Sequence, residues 1–188
     1  MYPISYFFKT LKAKPVIEQS KRSLYYWINL QFNVVDRDRR KLIGPDLSCA
    51  EWILRNGGSV KWKKGTVTDY NELPQDTKDF HLNEIDASDT NIMKAGFEHF
   101  QGCKYIEKLK LHKCIYINDE CLQGLHVLKD SLKHLTISSC KEVTDAGILQ
   151  LIVLKKLQTL VLADLPGVKN MSVTIQDLQK CLGQCKIQ

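Results

Sequence analysis

The sequence predicts an α/β protein, a helical head followed by a short stack of repeated strand-and-helix units. Three observations predict it. One apolar spacing recurs four times between residues 82 and 168. The residues before it show helical periodicity and no repeat. The residues after it leave the pattern and close the stack.

The spacing is clearest in three segments. Ile106, Leu109, Leu111, Cys114 and Ile117 are followed by Leu132, Leu135, Ile137, Cys140 and Val143, then by Leu157, Leu160, Leu162, Leu165 and Val168. A weaker copy precedes them at Leu82, Ile85, Ala87, Thr90 and Met93. The starts lie 24, 26 and 25 residues apart. A period in the twenties with L-x-x-L-x-L-x-x-(N/C)-x-L spacing signals leucine-rich repeats. In each L-x-L the two leucine-type positions point one way and the middle residue the other, as a strand requires. One unit cannot close its own core, so the units must stack. The fold class is therefore a short leucine-rich-repeat solenoid of about four repeats with an N-terminal helical capping domain. Asn118-Asp119 and Thr144-Asp145 stand at helix starts within two of the units.

Cys114 and Cys140 occupy the inward slot at the bend after the strand, where a thiol acts as a small hydrophobe. A nucleophilic role would need a base and an orienting partner. The nearby His112 and His134 belong to the outward-facing set. The seven cysteines form no C-x-x-C pair, which argues against a zinc clip and a full disulfide framework and fits a reducing compartment.

The head spans 23–80. "LYYWINLQFNVVD" has apolar and aromatic groups at helical spacing, and "DRDRRK" reads as a charged break. "GPDLSCAEWILRNGG" reads as a second helix, with Pro45 near its start, Asp46 or Ser48 as cap, Trp52 and Leu54 packing, and Gly57-Gly58 as the stop. "SVKWKKGTVTDY" reads as two short strands around Lys64-Gly65. "YNELPQDTKDF" is a polar connector. Repeats occupy 81–170. Residues 171–188 form a C-terminal cap with Val173, Ile175, Leu178 and Leu182 inward.

The net charge is +6 over 188 residues, and residues 1–22 hold +4 of it, because Lys9, Lys12, Lys14, Lys21 and Arg22 oppose only Glu18. The nearly balanced body makes no case for nucleic acid. A basic, acid-poor start with Tyr2, Tyr6, Phe7, Phe8 and Leu11 reads as a mitochondrial transit peptide over 1–22. No apolar run is long enough to span a membrane. No P-loop, H-E-x-x-H or G-x-S-x-G is present, and "NGGSVKWKKG" lacks phosphate-loop spacing, so the sequence does not read as an enzyme.

Alternation places Glu84, Asp86 and Ser88, then Lys108, Lys110 and His112, then His134, Thr136 and Ser138, then Thr159, Val161 and Ala163 on the concave face. This face runs from acidic to basic to neutral, which suits a protein partner better than a uniform polyanion. The "DRDRRK" run is a second candidate surface, for acidic lipid or protein.

"FNVVDRDR", "GPDLSCAEWILRNGG", "DYNELP", "IDASDTNIMKAGFEHFQG", "YIEKLKLHKCIYINDECL" and "LADLPGVK" together resemble the coupling factor B family of mitochondrial ATP synthase. That family is also called subunit s, or distal membrane arm assembly component 2-like. The resemblance runs from about Tyr26 to Lys169, and the tail matches poorly. It implies a non-catalytic protein peripheral on the matrix side of the inner membrane, supporting proton-coupled ATP synthesis by limiting a proton leak. A sister group assists assembly of the membrane arm of respiratory complex I. The resemblance also implies a structural Mg2+ held partly by main-chain carbonyls, whose positions here are Gly57 and Ser88. Asn56 stands where the family pattern has Cys, and Ser88 where it has Thr. A ubiquitin-ligase substrate receptor is a further alternative, because "LSCAEWILRNG" is similar to the end of an F-box; no "LP" opening precedes it.

Overall fold

The computed structural model describes residues 16–74 and 79–188, with side chains from Leu24 onward. The transit-peptide expectation over 1–22 lies mostly outside the described residues, although a helix already begins at Val16.

Three helices build the head. α1 (Val16–Asn33) follows the helical spacing of "LYYWINLQFN". The expected charged break is instead a helix, α2 (Arg37–Ile43), because the Asp36 carboxylate accepts from the Asp38 and Arg39 amides and caps it. α3 (Pro45–Arg55) has Pro45 at its first turn, as expected. Neither Asp46 nor Ser48 caps it; the cap position is Gly44, without a side-chain bond. Pro45 starts the helix, so both residues already lie inside its first turn and reach elsewhere. Asp46 accepts from the Leu82 amide at 3.3 Å, and Ser48 Oγ meets His99 Nδ1 at 3.4 Å. The helix stops as predicted. Gly57 takes φ +88°, and the Gly58 and Gly57 amides close on the Ile53 and Leu54 carbonyls.

β1 (Ser59–Trp62) and β2 (Gly65–Val67) form the expected hairpin. β1 also pairs antiparallel with β3 (Leu82–Ser88), so the head donates two strands to the main sheet. β3, β4 (Lys108–His112), β5 (His134–Ser138) and β6 (Thr159–Ala163) then run parallel. A two-residue β7 (Lys186–Ile187) closes the order β2-β1-β3-β4-β5-β6-β7. The parallel strands sit on the L-x-L positions of the repeat, in exact step: Ile85, Leu109, Leu135 and Leu160 lie in one row and Ala87, Leu111, Ile137 and Leu162 in the next. All eight are buried. Each buried leucine or isoleucine contributes about 1.5–3 kcal/mol relative to exposure.

The four units leave their strands in the same way. Asp89, Lys113, Ser139 and Asp164 have φ between +49° and +56°. This left-handed residue turns the chain under the sheet and delivers Thr90, Cys114, Cys140 and Leu165 to the core. Cys114 and Cys140 are fully buried, as predicted, and the Cys114 thiol donates to the Ala87 carbonyl of the preceding unit at 2.8 Å.

Short helices complete the units. α4 (Asp119–Gly124) is capped by Asn118 and α5 (Asp145–Leu149) by Thr144. The aspartate after each cap ties one unit to the next. Asp119 accepts from the Thr144 amide and hydroxyl at 2.8 and 2.6 Å. Asp145 accepts from the Lys169 and Asn170 amides and the Thr174 hydroxyl. α6 (Met171–Cys181) covers the last unit. Leu178 and Leu182 face inward as predicted, but Val173 is exposed. The inward line runs through Thr174, four residues before Leu178, and Val173 lies off that line.

Candidate functional site

The sheet face opposite the core carries every residue predicted for the concave face; the "DRDRRK" run lies apart, in α2. Register places Glu84, Lys108, His134 and Thr159 in one row, Asp86, Lys110, Thr136 and Val161 in the next, and Ser88, His112, Ser138 and Ala163 in the third. Each of these twelve side chains is at least partly open to solvent. A groove of about 410 Å³ lies over the β1–β5 part of this face.

Sequence reasoning missed Lys61, which joins the face because β1 extends the sheet. Its signal was present in "SVKW", where Val60 and Trp62 alternate with Ser59 and Lys61. Glu84 sits between Lys61 at 3.2 Å and Lys108 at 3.1 Å. Asp86 pairs with Lys110 at 3.1 Å and accepts from the Ser88 amide and hydroxyl. For both carboxyls partial burial opposes ionisation. Hydrogen bonds from Lys108 and Lys61 to Glu84, and from Ser88 and Lys110 to Asp86, outweigh it and hold both below the usual carboxylate range.

The acidic and basic groups thus neutralise one another across strands. His134, Thr136 and Thr159 make no side-chain hydrogen bond to another described residue and remain available to a partner. His112 Nδ1 lies 2.8 Å from Ser138 Oγ. Among the described residues no carboxylate orients that ring from its other nitrogen, so the pair is a cross-strand hydrogen bond without the rest of a catalytic relay.

The two positions implied for a cation flank the end of the β1–β3 ladder. β1 and β3 pair Val60 with Ile85 and Ser59 with Asp86; Gly57 lies in the turn just before β1, and Ser88 ends β3. The backbones are close there: a Cβ built on Gly58 would lie 2.8 Å from the Asp86 carbonyl oxygen. No turn, loop or cap hydrogen bond among the described residues ends on the Gly57 or Ser88 carbonyl. Among the described residues no three His, Cys, Asp or Glu side chains cluster as metal ligands. The Asp86 carboxylate is already engaged. Main-chain oxygens are the donors left there, and such donors suit only a hard cation that keeps most of its waters.

Comparison with known proteins decides the lineage. No protein-family model matches the chain. It is 40% identical over 181 residues to ATP synthase subunit s, mitochondrial, of Bos taurus, covering 90% of this chain and 88% of that protein. With the Homo sapiens protein of the same name it is 38% identical over 177 residues, covering 89% and 86%. The chain belongs to the ATP synthase subunit s family. The resemblance read from the head and repeat motifs is therefore borne out. A more distant relative, distal membrane arm assembly component 2 of Drosophila melanogaster, is 22% identical over 195 residues, covering 96% of this chain and 68% of that protein. No described helix is long and apolar enough to cross a membrane.

Proposed function

We propose that this chain is a non-catalytic accessory protein of mitochondrial ATP synthase, held peripherally on the matrix side of the inner membrane, and that it limits proton leak there. The observation that carries this is 40% identity along nine tenths of the chain to a protein named as an ATP synthase subunit. The architecture supports it. Stacked parallel strands with a left-handed exit after each suit a short leucine-rich-repeat solenoid, which offers a partner a broad, stiff face instead of an enclosed reaction chamber. The partner would lie on the concave face, reading the Lys61–Glu84–Lys108 and Asp86–Lys110 pairs for register and His134, Thr136 and Thr159 for new contacts. A structural Mg2+ at the Gly57 and Ser88 carbonyls would fasten the head to the first unit.

A second reading, assembly of the complex I membrane arm, is favoured by the name of the Drosophila relative. Native-gel complexome profiling of mitochondria carrying the C-terminally tagged chain separates the two. Co-migration with ATP synthase is expected. Migration with immature complex I modules would transfer the role to assembly, and exclusion from mitochondria would refute both.

A further inference from the structure

Helix α1 is anchored at its C-terminal end and carries exposed apolar side chains between Leu24 and Phe32. Its anchor is Asn33, fully buried, which bonds to α3 and to the loop after β3. Nearer its N-terminus, Asn29 and Tyr26 meet Tyr116 in the loop after β4. Between Leu24 and Phe32 the helix also turns outward side chains that a protein ordinarily hides. Leu24, Tyr25, Trp27 and Phe32 are each 50–65% exposed. Trp27 differs in this from Trp52 and Trp62, which are 2% and 9% exposed.

The shape of this apolar surface limits what can cover it. At 100° per residue, Trp27, Leu24, Phe32 and Tyr25 spread over a band of roughly 160°. That is wider than the narrow seam by which one helix packs into another. A broad band of Trp, Tyr, Phe and Leu is the composition of a helix lying in the headgroup region of a bilayer.

The charges agree. No acidic residue occurs from Gln19 to Val35. At the C-terminal end of α1, beginning at Val35, a groove of about 590 Å³ carries Arg37, Arg40 and Lys41 against one carboxylate, Glu98. Arg37 and Lys41 are over three-quarters exposed, and their pairs with Glu98 and Asp38 are solvent-facing and weak. Beside them Leu42 is 80% exposed. Apolar groups and cations thus adjoin as acyl chains and phosphates do at a lipid surface. Leu24, Tyr25, Trp27 and Phe32 all follow residue 22, so these side chains would survive removal of a leader ending there.

We propose that the outer face of α1, with the cationic groove at its C-terminal end, docks this protein on an anionic phospholipid bilayer. The inference rests on the peripheral-membrane part of the proposed function and names the surface responsible. It leaves the concave sheet face free for a protein partner.

Trp27 supplies the test. The full-length protein is mixed with phosphatidylcholine vesicles containing about one third phosphatidylglycerol, with and without brominated acyl chains. The expected result is quenching of tryptophan fluorescence by the brominated vesicles, lost in Trp27→Phe and weakened by salt. Tyr25→Ser/Trp27→Ser/Phe32→Ser alters only exposed side chains and should keep the melting temperature. Its vesicle affinity, measured by flotation, should fall at least roughly tenfold. Arg37→Gln and Lys41→Gln should each weaken binding to anionic vesicles about fivefold and leave neutral vesicles unaffected. Absence of bromolipid quenching, or undiminished flotation of the triple variant, would overturn the proposal. So would protection of Trp27 by detergent-solubilised ATP synthase but not by vesicles, which would assign the face to a protein. The vesicles contain no protein, so this outcome and the complexome result fail independently.

Discussion

Asn33 offers the sharpest test of how the head is held. Its side-chain oxygen accepts from Trp52 Nε1 at 3.0 Å and from the Met93 amide at 2.7 Å. Its amide donates to the Asn29 carbonyl, the Asn91 carbonyl and the Asn56 side-chain oxygen. One buried side chain thus joins α1, α3 and the loop after β3. Asn33→Leu keeps the branched shape and the number of side-chain heavy atoms and removes every one of these bonds. Two buried donors, Trp52 Nε1–H and Met93 N–H, are left without an acceptor, at about 1–3 kcal/mol each. The added leucine carbons recover about 1–2 kcal/mol. The net loss is about 3 kcal/mol, or a fall in melting temperature of roughly 6–12 °C for a chain of this size. Thermal and urea unfolding followed by circular dichroism measure it. A double-mutant cycle then isolates the cause. Trp52→Phe removes the stranded donor, so it should cost about 1 kcal/mol less in the Asn33→Leu background than alone. A fall below about 2 °C, or additive behaviour in the cycle, would refute the bridging role.

Further predictions concern pH, packing, the joints between units and the partner face. Burial, with Arg40 and Arg55 adding, holds His99 at about 4 instead of its ordinary 6.5. Between those values the unfolded chain binds a proton that the folded one refuses, so stability should fall as pH drops from about 6.5 toward 4. Urea midpoints at pH 7, 6 and 5 should show this slope, and His99→Phe should flatten it. A Cβ at Gly96 would collide with the indole of Trp52, so Gly96→Ala should destabilise by about 1–3 kcal/mol and alter the near-ultraviolet spectrum. Asp119→Ala removes the bonds to Thr144 and should cost about 1.5–3 kcal/mol in urea unfolding. Lys108→Glu/Lys110→Glu sets like charges against Glu84 and Asp86. It should abolish co-migration with the partner complex on native gels, with the purified protein still folded by circular dichroism.

Strands at 109–111, 135–137 and 160–162, their inward residues and the twelve outward ones were legible from the residues alone. Alternation along a strand is local, and a spacing repeated every 24–26 residues stacks equivalent positions without further information. The caps at Asn118 and Thr144 and the stop at Gly57 were legible for the same reason, since each depends on a few adjacent residues. Tertiary structure decided the rest. Only pairing between β1 and β3 brings Lys61 beside Glu84, because antiparallel register links residues more than twenty apart in the chain. Only packing set the "DRDRRK" helix beside a groove, drew Asp46 from a capping role to the Leu82 amide and turned Val173 outward. The outer face of α1 shows the division most plainly. The sequence marks Tyr25, Trp27 and Phe32 as apolar, but apolar side chains belong to a core unless the fold withholds one. The Asn33 anchor fixes the helix with that face away from the sheet, and this orientation, which no local pattern encodes, makes the face a surface for binding.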